Sequence, residues 1–234
     1  IQLGRLEAGN NPVSHKWLPQ PFDHPTIRSL RSPRDTSQKS LGYLLLHLHA
    51  HLPFIPDPVD FRAGDTWRPA GYPQEWYPEA VRETYLPLLD LFETLSREGV
   101  DFKLSMDLSS PLIAMMKSQR HSADTLEYLE RLILLAKLEV ERTMREEPHY
   151  HQPARMHLRL LIRYRDLFLR YQGDLTEGFK HFQELGYLEL STCIGTHPML
   201  PLWTSIPSAI RGQAKAAAEY HEKIFGRAPI GCWL

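Results

Sequence analysis

The sequence predicts an α/β fold in which parallel strands alternate with helices to form part of a barrel. Short apolar runs begin at Leu41, Phe102, Leu188 and Ile230, each of strand length. Between them lie segments with apolar residues at helical spacing, bounded by Ser, Asp, Gly and Pro signals. Strands alternating with helices pair in parallel through right-handed crossovers. Four such strands make about half of an eight-strand barrel.

Each element has its own signal. The run Tyr43 to Leu48 is continuously apolar up to its histidines, as expected for a strand covered on both faces. After an aromatic, polar loop from Pro56 to Tyr77, Pro78 opens a helix carrying Val81, Tyr85 and Leu88. Pro87 kinks or restarts it, and Gly99 ends it. Phe102 to Met106 reads as the second strand, and Ser110 before Pro111 as the capped start of a helix through Met116. From Asp124 to Arg145, Leu126, Leu129, Ile133, Ala136 and Val140 recur at steps of three and four. Pro148 and Pro153 break that helix, and Arg155 to Tyr171 forms another with Met156, Leu160, Tyr164 and Leu167 inward. Asp174 caps a third. Leu188 to Cys193 is the third strand, Pro207 to Phe225 a helix burying Ile210, Ala217, Tyr220 and Ile224, and Ile230 begins the fourth strand.

Composition sets the outer bounds. With 234 residues, 42% of them hydrophobic and 24% charged, the chain can bury a sizeable core. A formal net charge of -1 argues against a basic nucleic-acid surface. No apolar stretch approaches the roughly 20 residues of a membrane span. The two cysteines, Cys193 and Cys232, have no metal-type spacing and are expected as reduced thiols in a cytoplasmic protein. Residues 1–40 are rich in Pro, Ser and Arg without periodicity and read as a disordered leader. The folded domain is expected over 41–234.

Three places at expected strand ends can carry chemistry. In His47 Leu48 His49 Ala50 His51, alternate residues of an extended chain face one side, so three imidazoles line one direction. Taken alone, His47 is equally well explained as a core histidine. His49 and His51 suit either a metal or a wall that hydrogen-bonds sugar hydroxyls. At Thr192 to Pro201 a strand runs into a turn presenting Thr196 and His197. Trp233 is a sugar platform or a core aromatic. Asp107 and Glu189 also lie near strands, but Asp107 can cap the loop after its strand and Glu189 alternates with apolar neighbours, so neither is assigned a catalytic role.

These segments together resemble glycoside hydrolase family 57. The resemblance rests on His49 Ala50 His51 Leu52 Pro53, Glu83 to Leu89, Phe102 to Met116, Glu139 to Thr143, Leu188 to Cys193, and Thr196 His197, in the family's order from about Leu41 to Leu234. It implies the N-terminal part of a (β/α)7 barrel, a distorted relative of the eight-stranded kind, with a helical subdomain inserted at about 120–185. It also implies retaining transfer on an α-1,4-glucan such as amylose, starch or glycogen, with 1,4-α-glucan branching the closest activity. No cofactor, metal, nucleic acid or membrane is implied.

Carried over by motif, the substrate-binding residues are His49, His51, Thr196, His197 and Trp233. The third motif begins at Trp233 Leu234 and continues in the family into Pro and the nucleophilic Glu, with the acid/base Asp farther on. The expectation is therefore a portion of the enzyme without catalytic residues of its own, inactive alone. Two rival expectations stand beside it: a non-catalytic α-glucan-binding fragment, and a metal-dependent hydrolase or deacetylase using His49 and His51 as ligands.

Overall fold

The structure, a computed structural model, describes residues 44–55 and 73–234. The predicted leader, Tyr43 and the predicted loop between Pro56 and Tyr72 lie outside them. Strands β1 (His47–Ala50), β2 (Leu104–Leu108), β3 (Leu188–Cys193) and β4 (Cys232–Trp233) pair side by side in that order, every pair parallel. The connections run through α1 (Pro73–Ala80), α2 (Leu86–Arg97), α3 (Ser110–Met116), α4 (Gln119–Glu146), α5 (His151–Arg170), α6 (Leu175–Glu184) and α7 (Pro207–Phe225). Among the described residues no helix is long and apolar enough to cross a membrane.

The sheet has one apolar and one polar face, which corrects the expectation of strands covered alike on both sides. Register aligns Leu48 with Met106 and Leu190, and Ala50 with Leu108 and Thr192. Apart from Leu48, which is half-buried, this row is buried, and its apolar members join Leu112, Ile113, Phe179, Phe182 and Phe225 in the core. Each fully buried Leu, Met or Phe contributes roughly 1.5–3 kcal/mol of transfer free energy. The alternate row carries His47, Ser105 and Glu189, then His49, Asp107 and Ser191. Leu44, Leu45 and Leu46, expected inside the first strand, precede it and are exposed. The sheet pairing of β1 begins only where β2 offers partners, with Ser105 N–H donating to the Leu46 carbonyl at 3.2 Å.

Several boundaries differ from expectation for identifiable reasons. The first helix opens at Pro73 rather than Pro78. Pro87 lies in the first turn of a restarted helix, α2, as expected, and a π turn over Val81–Tyr85 precedes it. There Leu86 N–H donates to the Val81 carbonyl, an i to i−5 bond that lets the chain pass the missing proline donor. The second strand runs Leu104–Leu108, two residues later than expected, so Asp107 lies within it and not in a following loop. Ser109, not Ser110, caps α3 by accepting from Leu112 N–H. Ser118 caps α4, which therefore starts five residues before Asp124. Pro153 is accommodated in the first turn of α5, where its N–H would have no helical acceptor.

The helices α4, α5 and α6 lie between α3 and β3 in the chain; α4 packs along α5, whereas α6 packs against β3, α2, α3 and α7. The α5 face is rotated from expectation: Ala154, Leu161, Leu167 and Phe168 are buried, and Met156 is exposed. Ion pairs Arg163 to Asp90 at 2.6 Å and Arg170 to Glu93 at 2.7 Å tie α5 to α2. Gly186, in the left-handed region at φ 74, closes α6 with Tyr187 N–H reaching the Phe182 carbonyl, and the chain turns directly into β3.

One core histidine has a cost that depends on pH. His221 on α7 is 1% exposed, and neither ring nitrogen has a hydrogen-bond partner among the described residues. Burial pushes its pKa down from 6.5 to about 4. The unfolded chain therefore takes up the proton first, and stability is lost as pH falls from about 6.5 through 4, by roughly 3 kcal/mol if the full shift is realised. Thermal melts across that window are expected to show the loss, and His221→Leu is expected to flatten it.

Candidate functional site

The polar row converges at the carboxyl ends of the strands, where a parallel sheet presents its binding groups. Asp107 lies at its centre with no exposed surface. One carboxylate oxygen accepts from His47 Nε2 at 2.9 Å and the other from His49 Nδ1 at 2.9 Å. Cys193 Sγ donates to the second oxygen at 2.7 Å. A buried carboxylate without donors would be prohibitively costly, and three donors from β1 and β3 offset that. The neighbouring serines complete the row: Ser105 Oγ lies 2.9 Å from His47 Nδ1, and Ser109 Oγ 3.0 Å from His51 Nδ1.

His197 closes the cluster from the β3–α7 connection. Its Nε2 lies 3.2 Å from His49 Nε2, and its ring stacks on His51 with centroids 4.1 Å apart. The backbone there is unusual twice over. Gly195 is buried with φ 21, and a Cβ at that position would overlap the Gln213 side chain. His197 itself has φ 58, a conformation that costs a non-glycine residue roughly 1–3 kcal/mol. Gln213 on α7 holds the turn by accepting from Thr196 N–H at 2.8 Å.

Trp233 on β4 adds an aromatic wall. It stacks on His47 at 5.5 Å with 8° between planes, and on His49 at 5.0 Å. It remains 44% exposed, so part of the indole faces outward. Thus His49, His51, His197 and Trp233 are brought into one group. Thr196 is not: its hydroxyl and N–H both engage Gln213. It lines instead an apolar groove of about 630 Å³ with Phe54, Ala114 and Tyr220.

Two members were not anticipated from the sequence. In sequence Asp107 reads as able to cap the loop after its strand, and Cys193 only as a reduced thiol. The signal was present in alternation: Ser105, Asp107 and Ser109 on β2, and Glu189, Ser191 and Cys193 on β3, repeat with the same period as the three histidines. Glu189, which is exposed, sits at the entering end of β3, 3.4 Å from Ser105 Oγ.

The protonation pattern decides what this cluster can bind. Burial, then the neighbouring His197 and His49 rings, hold the pKa of His51 below the ordinary imidazole value, although Asp107 acts in the opposite sense. Burial first, then the hydrogen bond to Asp107, push the Cys193 thiol far up. Donor atoms of His49, Cys193 and His197 lie within 4.8 Å of one another, close enough to share a metal ion. A metal would need Cys193 as thiolate, and the carboxylate it touches opposes that form. Imidazoles that each donate and accept, beside an indole face, suit a polyhydroxylated ring.

Comparison with known proteins shows the family. The family model for Glycosyl hydrolase family 57 matches residues 45–234. The chain belongs to glycosyl hydrolase family 57. It is 31% identical over 193 residues to a 1,4-alpha-glucan branching enzyme of Thermococcus kodakarensis, covering 82% of this chain and 26% of that protein. Among solved structures, the alpha-amylase AmyC of Thermotoga maritima aligns with a TM-score of 0.73 and 35% identity, over 81% of this chain and 34% of its own. A family 57 branching enzyme of Pyrococcus horikoshii aligns at 0.72 and 27% identity, over 82% of this chain and 34% of that one. The Thermococcus branching enzyme, solved in complex with glucose, aligns at 0.71 and 29%, over 82% and 32%. The four parallel strands with their helices are thus part of the family 57 (β/α)7 barrel. The chain spans about a quarter of the curated relative's length.

The Gly195 turn gives a direct test of how the site is held. Gly195→Ala is expected to displace the Gln213 amide, release Thr196 N–H and cost roughly 1–3 kcal/mol. Thermal denaturation reads the loss, and a Gln213→Ala background, which removes the clashing group, is expected to shrink the effect of the glycine substitution.

Proposed function

We propose that this chain forms the substrate-binding side of a retaining α-glucan site, and that the protein carrying it is a 1,4-α-glucan branching enzyme. One observation carries the proposal: His49, His51, His197 and Trp233, from three strand ends, meet in a single stacked group at the rim of the polar face. In this arrangement the imidazoles hydrogen-bond hydroxyls of the sugar at the scissile bond, and the indole supports a ring face. Positive charge develops on that sugar in the transition state, and the buried Asp107 carboxylate lies directly behind the histidines that contact it.

Retaining transfer requires two carboxyl groups about 5–5.5 Å apart, one nucleophilic. Asp107 does not serve, because both its oxygens are occupied by His47, His49 and Cys193 and it is closed to solvent. We assign the described residues to binding and positioning. The segment α4–α6 is proposed as a subdomain inserted into the barrel, and the unpaired thiols Cys193 and Cys232 favour a reducing, cytoplasmic setting. Hydrolysis is a second reading, favoured by the 35% identity to the amylase AmyC.

Incubation of the native full-length protein with amylose separates the two. Branching lowers iodine staining and creates α-1,6 linkages, seen as short chains after enzymatic debranching, with little gain in reducing ends. Reducing ends without new linkages would establish hydrolysis and overturn branching. His49→Ala and His197→Ala are each expected to lower kcat/KM on amylose about 10- to 100-fold, the worth of a hydrogen bond to a charged transition state.

A further inference from the structure

We propose that Asp107 is the positioning residue of the cluster: it fixes His49 as the Nδ1–H tautomer, leaving Nε2 as a hydrogen-bond acceptor for a hydroxyl of the bound sugar. The inference rests on the glucan reading for its ligand, and on geometry for the rest.

Each histidine of β1, and His51 just after it, is met by a polar residue of β2 or the position just past it, but the partners differ in kind. Ser105 touches His47 and Ser109 touches His51 through hydroxyls, which can donate or accept and so leave the ring's tautomer open. A carboxylate only accepts. Asp107 therefore requires a proton on the ring nitrogen that faces it, and it faces different nitrogens of two rings: Nε2 of His47 and Nδ1 of His49. The consequences are opposite. His47 turns its remaining nitrogen, Nδ1, inward to Ser105 Oγ. His49 turns its remaining nitrogen, Nε2, outward, 3.2 Å from His197 Nε2.

That Nε2 lone pair is where a hydroxyl would be received, in place of the contact with His197. His49 is exposed at the rim, while Asp107 has no surface of its own, so the carboxylate acts on a ligand only through the imidazole. Cys193 supports the arrangement from the opposite side by donating its S–H to the same oxygen that His49 contacts. His49 Nδ1 lies 2.9 and 3.1 Å from the two Asp107 oxygens, against 3.9 Å from Cys193 Sγ, so the carboxylate is its partner. The nitrogen carrying the proton is set by the hydrogen bond at the other nitrogen, and loss of such an orienting group typically costs 10- to 100-fold in function.

The test uses the native full-length protein with 15N-labelled histidine at a pH where His49 is neutral. Wild type is expected to show His49 protonated on Nδ1. Asp107→Leu removes every acceptor in a similar volume and is expected to move the proton to Nε2 and to lower kcat/KM on amylose about 10- to 100-fold. Asp107→Asn keeps one acceptor oxygen and is expected to fall between. A wild-type His49 protonated on Nε2 overturns the proposal without any variant having to fold. So does an Asp107→Leu protein that keeps the Nδ1–H tautomer or wild-type kcat/KM. Wild-type protein inactive on amylose overturns the glucan reading alone, since the tautomer is read without substrate.

Discussion

A carboxylate with no exposed surface has to be surrounded by donors, and around Asp107 that requirement organises everything else. Its partners come from β1 and β3, the strands on either side of its own. Only one register of three parallel strands brings His47, His49 and Cys193 to the same carboxyl group. A slip of one residue on any strand would turn its polar row into the helix layer and its leucines into the cluster. The apolar face alone would prefer the same register, so hydrophobic burial and the electrostatic hub specify one pairing together.

The helices contribute by closing the apolar side and by setting the rim. Ser109, at the end of β2, both caps α3 and touches His51, so the start of that helix and the orientation of that imidazole share one hydroxyl. Gln213 on α7 plays a corresponding part for the β3–α7 turn, where His197 is held at a positive φ. Strain in that turn is sustained because the helix carrying Gln213 is anchored by Ala217, His221 and Phe225 in the core. Local conformational cost at the site is thus offset by packing some distance from it. His221 shows the limit of that economy, since its ring is buried among apolar groups without a hydrogen-bond partner among the described residues.

Cluster chemistry follows from what the rings already hold. Both nitrogens of His47 are committed inward, to Asp107 and Ser105, while His49 and His51 commit only Nδ1, so the Nε2 atoms of His49 and His51 are the ones turned to a ligand. Trp233 covers the two imidazoles nearest the hub and leaves part of its own surface outside. A site of this kind discriminates by the positions of hydroxyl groups rather than by charge. We propose it as the binding half of a glycosyl-transfer centre, carried on strand ends of a family 57 barrel.

The sequence by itself determined the alternation of strands and helices, because apolar runs, caps and glycine stops are local signals that each segment carries alone. It also determined that His49 and His51 share a face, since the period of an extended chain is a property of one strand. The family was legible because the motifs around Leu41 to Leu234 occur in a fixed order. What the tertiary structure decided was every relation between strands. Asp107 in its own segment is a polar residue beside a loop signal, and Cys193 a small residue at a strand end. Their contact with the histidines depends on register across β1, β2 and β3, which no single segment encodes. The π turn before Pro87 and the rotated face of α5 were likewise hidden, because each answers to a packing partner distant in the chain. Local periodicity fixes which side chains look the same way; only strand pairing fixes which of them meet.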